Sequence, residues 1–220
     1  MTHSREGVIR FEVRHESRPL DEREFGDAAR VLVAWRGILA HLGILGHDPA
    51  RYEGLAFGNV SARVGPFGGV PRGRRRFLVS GSQTGGIAHA TLREFCLVEA
   101  WDLAGNRVTS RGLVAPSSES LTHAALYDIA PAVRVVLHAH APELWRRARA
   151  LGLPVSHPDA VNGTAAMAAE IQRLYREGTF ASTRVAAMGG HEDGVLAFGG
   201  SAEEAGTALV AQFARARSAP

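Results

Sequence analysis

The feature that most constrains the fold is a change in the spacing of apolar residues along the chain. Residues 24–45 place apolar side chains at helical spacing and stop at Gly46, which predicts a first helix. Short apolar runs separated by glycine and proline then predict strands at 54–64, 76–81, 94–102 and 106–109. The rest of the chain predicts helices at 116–129, 141–151, 163–177 and 201–215 and strands at 133–138, 183–190 and 194–198. This order predicts a layered α/β domain whose sheet is largely antiparallel or mixed.

The length and polarity of the chain are those of one globular domain. Of the 220 residues 45% are hydrophobic, so we expect a single domain over 23–220 and an irregular N-terminal arm over 1–22. No run reaches the ~18 consecutive apolar residues of a membrane helix, and the first residues lack the apolar core of a secretory signal. We therefore expect a cytoplasmic protein that contacts no membrane. The arginine-rich segment 72–76 has no interleaved aromatic residues, which favours a solvated turn over a nucleic-acid surface.

The basic residues are all arginine, and the absence of lysine excludes whole classes of chemistry. A Schiff-base mechanism needs a lysine amine, and a phosphate-binding P-loop needs its own lysine. Carbanion or enolate chemistry in this chain would therefore have to use a metal. The single cysteine, Cys96, stands in an apolar run and is expected to be a buried structural thiol.

Three histidines are candidate metal ligands. His138 and His140 lie two residues apart at the end of a predicted strand, so both imidazoles point to the same face of the sheet. Two imidazoles placed in this way form half of a tetrahedral zinc site, although the pattern also fits a polar strand end. His191 lies between glycines in a predicted turn, where it is either a third ligand or an ordinary turn histidine.

Further polar residues have both a structural and a functional interpretation. Glu119 lies in the first turn of a helix, where a carboxylate favours the helix dipole. Beside a metal it could also be a fourth ligand when no substrate is bound, or transfer protons once substrate displaces it. Ser117 and Ser118 precede that helix and could bind an anion at its N-terminus. The small-residue segments 58–61 and 80–86 are ordinary turns or phosphate-binding loops.

The combination and order of these motifs resemble the class II aldolase/adducin family. The matching segments are GNVSAR at 58–63, PSSESLTHAALY at 116–127, VVLHAH at 135–140 and GGHEDGVLAFG at 189–199. The resemblance extends over about 25–210. It implies an α/β fold, a three-layer α/β/α sandwich with a mostly antiparallel central sheet.

The resemblance also implies roles for individual residues. His138, His140 and His191 match the zinc ligands, with Mn²⁺ or Co²⁺ as alternative ions, and Glu119 matches the catalytic carboxylate. The residues that match or adjoin the pocket for a substrate phosphate are Gly58, Asn59, Ser80, Gly81, Ser117 and Ser118. His123 lies one helical turn after Glu119 and is expected to support the site without binding the metal.

The implied reaction is that of a zinc-dependent, aldolase-type lyase. It would act on a small, phosphorylated hydroxy-ketone or sugar through a metal-stabilised enediolate, with Glu119 as proton shuttle, in a homotetramer. Epimerase, dehydratase and decarboxylase chemistry fit the same site, and an adducin-like assembly domain without catalysis is a further alternative. A cupin-type barrel is disfavoured because Glu143 follows His140 at the wrong spacing and in a helical segment.

Three departures from the family pattern affect the details of the site. Glu192 and Asp193 stand between His191 and Gly194, where the family usually has glycine directly after histidine, and they either contact the metal or substrate or lengthen the turn. The turn at 80–86 is longer than usual, so Ser80, Ser82 and Thr84 are alternative anion ligands. No tyrosine occupies the stretch that supplies the aldolases' proton donor, and His157 is either a substitute or a surface residue.

Overall fold

A computed structural model of the chain describes residues 7–218. The strands are β1 (Glu12–Ser17), β2 (Gly46–His47), β3 (Ala56–Phe57), β4 (Asn59–Arg63), β5 (Phe77–Ser80), β6 (Phe95–Asp102), β7 (Arg107–Gly112), β8 (Val135–His140), β9 (Val185–Ala187) and β10 (Gly194–Gly199). The helices are α1 (Glu22–His41), α2 (Ser120–Ile129), α3 (Pro142–Arg147), α4 (Ala165–Glu177), α5 (Phe180–Thr183) and α6 (Ala202–Ser218). Short 3₁₀ turns lie at Tyr52–Gly54 and Leu92–Glu94.

Eight of these strands form one sheet in the order β1-β7-β6-β5-β4-β8-β10-β9, and β2 pairs separately with β3. Strand β1 runs parallel to β7, whereas the pairs from β7 across to β9 are antiparallel. The sheet is therefore mixed, and the expectation of a mostly antiparallel sheet is corrected. The physical reason is that the N-terminal segment adds to the β7 edge in the same direction as its neighbour.

The N-terminal region differs from the expected irregular arm. Residues 12–17 form β1, in register with β7 from Glu12 opposite Arg107 to Ser17 opposite Gly112. Residues 1–6 of the expected arm lie outside the described residues. Within residues 7–218, no helix combines the length and the apolar character needed to cross a membrane.

The sheet separates two hydrophobic cores. One core contains Leu32 of α1, Leu144 of α3 and Leu209 of α6 together with Leu137 of β8. The other contains residues of α2, α4 and α5 packed against Val136, the neighbour of Leu137 in the same strand. Because adjacent strand residues point to opposite faces, the helices cover both faces of the sheet.

Local sequence signals explain where several helices begin. The Asp21 carboxylate accepts a hydrogen bond from the backbone N–H of Arg23 at the start of α1, and Thr164 caps α4 in the same way through Met167. The hydroxyl oxygen of Ser201, directly before α6, accepts a hydrogen bond of 3.1 Å from the N–H of Glu204. In each case a polar residue directly before the helix marks where that helix begins.

The arginine-rich segment is only partly a solvated turn. Arg72 and Arg74 are exposed, but Arg75 is half-buried. Its Nη1 atom donates to the carbonyl oxygens of Tyr127 and Asp128 at 2.6 and 3.2 Å. A guanidinium in this position satisfies carbonyls at the C-terminus of α2 and complements the helix dipole.

Candidate metal centre

Strand β8 places His138 and His140 on the face of the sheet that α2 covers. The two histidines alternate with Leu137 and Ala139, which belong to the core on the opposite face. The neighbouring strand β4 aligns Asn59 with His138, and β10 aligns Gly194 with His140. Both imidazoles are buried, so the predicted orientation of the pair is confirmed.

His191 reaches the same place because the turn between β9 and β10 is built from small residues. A Cβ on Gly189 or Gly190 would collide with the carbonyl oxygens of Ser156 and Ala160. A Cβ on Gly194 would lie 2.5 Å from Cδ2 of the His191 ring itself. Only glycine leaves room for the imidazole to fold back over its own turn. The ring is buried, with 2% of the residue exposed.

The three Nε2 atoms converge on one point. They are separated by 3.2 Å between His138 and His140, 3.1 Å between His140 and His191, and 3.2 Å between His191 and His138. Three ligands on a tetrahedral zinc ion, with Zn–N bonds of about 2.0–2.1 Å, would lie about 3.3–3.4 Å apart. The triad therefore fits a divalent cation that binds nitrogen donors.

The protonation of the triad also suits metal binding. The Nδ1 atom of His138 lies 3.1 Å from the carbonyl oxygen of Val195, which can only accept, so Nδ1 carries the proton and Nε2 keeps its lone pair. Burial, followed by the nearby Arg51 charge, lowers the pKa of His140 to about 3. His140 is accordingly neutral at physiological pH, as a ligand must be.

Glu119 occupies the N-cap position of α2 and is buried. Its Oε2 atom accepts a hydrogen bond of 2.7 Å from the hydroxyl of Thr122, and its backbone N–H donates to Ser117 Oγ at 3.2 Å. Within the described residues, the cluster in which every ligand atom lies within 4.8 Å of every other contains the three histidines and no carboxylate. The fourth-ligand interpretation of Glu119 therefore gains no support, and its acid–base interpretation stays a prediction.

A narrow cleft of about 10 Å³ brings together most of the residues predicted to bind phosphate. Its lining includes Gly58, Asn59, Gly81, Ser117 and Ser118, together with Ser82 from the long turn. The side-chain oxygen of Asn59 is buried and has no hydrogen-bond partner among residues 7–218. A ligand with a hydrogen-bond donor could satisfy it.

The hydroxyls of Ser80 and Thr84 contact backbone groups, and their role as anion ligands stays a prediction. The Ser80 hydroxyl oxygen accepts a hydrogen bond of 3.1 Å from the backbone N–H of Val60, and Ser80 is not among the residues lining the cleft. The Thr84 hydroxyl donates to the carbonyl oxygen of Gly81 at 2.8 Å. Both hydroxyls therefore hold the strand and the turn together.

Two further histidines, His123 and His157, fall outside the triad. His123 is fully buried, and its Nδ1 lies 2.7 Å from Ser61 Oγ, which in turn lies 2.6 Å from the hydroxyl of Tyr127. His123 is thus not a member of the triad, and its supporting role stays a prediction. His157 is exposed and interacts with Asp159 of its own loop, as a surface residue does.

A second group of side chains beside the histidines was not indicated by any sequence pattern. The ring of Tyr52 meets the ring of His140 edge to face at 4.6 Å, and Phe57 packs beside them at 5.7 Å from His140. The Arg51 guanidinium lies 4.5 Å from the centre of the Phe57 ring. Arg51 and Phe57 also border a cavity of about 450 Å³. No helical or strand-like spacing of apolar residues identifies Tyr52 as part of the site, because its position depends on an irregular turn.

Comparison with known proteins places these features in a wider group. The family model described as Class II Aldolase and Adducin N-terminal domain matches residues 48–216. No curated protein sequence matches the chain.

Several solved structures share the fold at low sequence identity. L-fuculose-1-phosphate aldolase from Thermus thermophilus superposes with a TM-score of 0.60 at 19% identity, covering 86% of this chain and 90% of that one. Sugar-phosphate aldolase from Thermotoga maritima has a TM-score of 0.64 at 14% identity, with coverage of 87% and 92%. YgbL from Escherichia coli, for which an aldolase, epimerase or decarboxylase activity is suggested, has a TM-score of 0.60 at 16% identity and covers 87% of both chains.

Proposed function

Because this chain belongs to the class II aldolase and adducin family, we propose that it is a metal-dependent enzyme, an aldolase-type lyase acting on a small hydroxy-ketone or sugar. The observation that carries the proposal is the convergence of three buried Nε2 atoms within 3.2 Å of one another. Three neutral imidazoles favour zinc, with Mn²⁺ or Co²⁺ as alternatives. The solved aldolases with this fold are named for phosphorylated sugars, and we extend that substrate class to this chain.

The residues around the triad then take distinct roles. A divalent cation, when bound, supplies Lewis-acid polarisation of a substrate carbonyl. Glu119, buried and held by Thr122, is the group we propose to move the proton at the neighbouring carbon. Asn59, Ser117 and Ser118 are proposed to bind the phosphate, because their polar groups line one cleft.

Other reactions need the same set of groups. Epimerisation, dehydration and decarboxylation next to a carbonyl also require a Lewis acid and a proton shuttle, so they are the alternatives to bond cleavage by an aldolase. A purely structural, adducin-like role would leave the intact triad without a purpose, and we therefore favour an enzyme. By the same resemblance we propose a homotetramer, which light scattering of the purified protein would test.

Metal analysis is the first test. Protein purified without chelators should carry about one metal ion per chain, as a three-histidine site predicts. His138→Ala should abolish binding, whereas His157→Ala, which removes an exposed histidine, should leave the metal content unchanged. Protein that carries no metal and takes up none on titration with zinc would refute the proposal.

A product assay is the second test. The zinc-loaded protein should convert at least one member of a panel of phosphorylated and unphosphorylated ketoses, and the products would distinguish cleavage from epimerisation, dehydration and decarboxylation. Glu119→Gln should retain the metal and lose roughly 10²–10⁴-fold in turnover, the usual contribution of a general acid or base. Full activity of this variant would show that Glu119 is not the proton shuttle.

A further inference from the structure

A turn outside the sheet packs against the candidate metal centre. Residues 51–54 lie against the outer side of His140, where the Tyr52 ring makes its edge-to-face contact at an interplanar angle of 71°. The same ring contacts Phe57 at 5.1 Å. An aromatic ring packed in this way limits the orientations that the His140 imidazole can adopt.

The backbone of this turn is left-handed, a conformation that residues with a Cβ disfavour. Tyr52, Glu53 and Gly54 follow one another with φ values of 50°, 57° and 73°. Left-handed backbone costs about 1–2 kcal/mol for a residue with a Cβ, and a bulky residue such as tyrosine is rarely found there. Such strain persists where surrounding contacts impose it, and it is concentrated at functional sites.

The contacts that impose the strain lead to the third histidine. The Tyr52 hydroxyl donates to Asp193 Oδ2 at 2.8 Å, and Arg51 Nη2 donates to the Tyr52 hydroxyl at 2.8 Å. Arg51 is itself fixed by a 3.0 Å bond from Nη1 to the carbonyl oxygen of Gly43. A chain of hydrogen bonds therefore runs from the end of α1 to the turn that carries His191.

Asp193 connects this chain to the metal centre. It is buried, follows His191 by two residues, and has a φ of 61°, so the turn around His191 is also strained. Its backbone carbonyl accepts a bond of 2.9 Å from the N–H of Ala141, directly after His140. Its second carboxylate oxygen has no hydrogen-bond partner among residues 7–218. A buried carboxylate with one hydrogen-bonded oxygen is stabilised by positive charge nearby, which Arg51 and a divalent cation on the triad would provide.

We propose that Tyr52 and Asp193 are positioning residues of the metal centre: their hydrogen bond fixes the turn that presents His191, while the Tyr52 ring fixes His140. This inference rests on the proposed metal site. It gives Asp193 a role that is neither metal ligation nor a simple lengthening of the turn. Glu192, its neighbour, is exposed and has no part in the arrangement.

The proposal is tested by zinc affinity, measured by competition with a chromophoric chelator. Tyr52→Phe keeps the ring and removes the hydroxyl, and Asp193→Ala removes the acceptor. Each should weaken zinc binding by about 10- to 100-fold, the usual effect of losing a group that orients a ligand. The double variant should bind no more weakly than the weaker single variant, because both remove one interaction.

Matched controls separate positioning from general damage. Tyr175→Phe removes the hydroxyl of a tyrosine that packs on Phe198, and this variant should bind zinc like the wild type. Asp193→Asn keeps an acceptor for Tyr52 and should restore most of the affinity that Asp193→Ala loses. The cobalt-loaded Tyr52→Phe protein should show an altered d–d absorption spectrum, which a loss of stability alone would not cause.

The outcomes distinguish this inference from the proposed function. A wild-type protein that binds no zinc would overturn both. A wild-type protein that binds zinc, with Tyr52→Phe and Asp193→Ala binding it equally tightly and giving the wild-type cobalt spectrum, would overturn the positioning role and leave the metal site intact. Failure of Asp193→Asn to bind more tightly than Asp193→Ala would also contradict the proposed hydrogen bond.

Discussion

Acidification should destabilise the metal-free protein through His123. This side chain is fully buried on α2, and its Nδ1 contacts the Ser61 hydroxyl. Burial lowers the pKa of His123 from 6.5 to about 3. The unfolded chain therefore binds a proton over a pH range in which the folded protein does not. The stabilising contribution is complete above pH 6.5 and is lost as the pH falls towards 3.

The size of the effect follows from the two pKa values. Each pH unit between them is equivalent to about 1.4 kcal/mol, so His123 should cost about 2 kcal/mol of unfolding free energy at about pH 5. Burial also lowers the pKa of His140, which acts in the same direction when no metal is bound. The two contributions are separable, because a substitution of His123 removes the first and leaves His140 in place.

Urea denaturation of chelator-treated protein, followed by circular dichroism, measures this loss. His123→Asn places an amide near the position of Nδ1 and cannot titrate. The difference in unfolding free energy between wild type and this variant should shift by about 2 kcal/mol against the wild type between about pH 7.5 and pH 5. A difference that stays constant with pH would show that His123 can be protonated in the folded protein, and the reasoning from burial would be wrong.

Two further pairs of substitutions test the local structure. Arg75→Met should lower the unfolding free energy by about 1 kcal/mol, because it removes the donor to two carbonyl oxygens at the end of α2. Its control is Arg74→Met, at an exposed neighbouring residue, which should not change the unfolding free energy measurably in the same denaturation assay. Gly58→Ala should cost about 1–2 kcal/mol, since φ is 75° and the new Cβ would lie 3.1 Å from the His138 carbonyl oxygen. Gly37→Ala, in open space on α1, should instead stabilise the protein by up to about 1 kcal/mol, and the opposite result for either glycine would contradict the geometry.

The helices and strands that were predicted from the sequence are those whose apolar residues recur at a regular spacing. Helix α1 was predicted at 24–45 and is observed at Glu22–His41, and β8 was predicted within two residues of its position. Strand β1 was missed because all six of its residues are exposed or half-buried, so its side chains carry no core pattern. What holds it is pairing of its backbone with β7, and backbone pairing leaves little trace in residue type.

The candidate site shows the same division between local and tertiary information. The alternation of side chains along a strand was enough to predict that His138 and His140 point together. The arrival of His191 beside them depends on glycines whose absent Cβ atoms make room for other backbone segments. The residues alone left His191 as either a third ligand or an ordinary turn histidine, and the family resemblance favoured the ligand. Among the six residues predicted to bind phosphate, Ser80 alone does not line the cleft, and its hydroxyl oxygen accepts a hydrogen bond from the backbone N–H of Val60.

Glu192 and Asp193 illustrate why adjacent polar residues cannot be assigned from sequence. Both stand in the same turn, yet Glu192 is exposed and Asp193 is buried against Tyr52. Asp193 has a left-handed backbone with a φ of 61°, and its carboxylate accepts a hydrogen bond from Tyr52, whose own φ is 50°. Two turns far apart in sequence therefore stabilise each other's disfavoured conformations. A substitution in either turn should loosen the other, so the geometry of the three histidines depends on segments 51–54 and 191–194 as much as on strand β8.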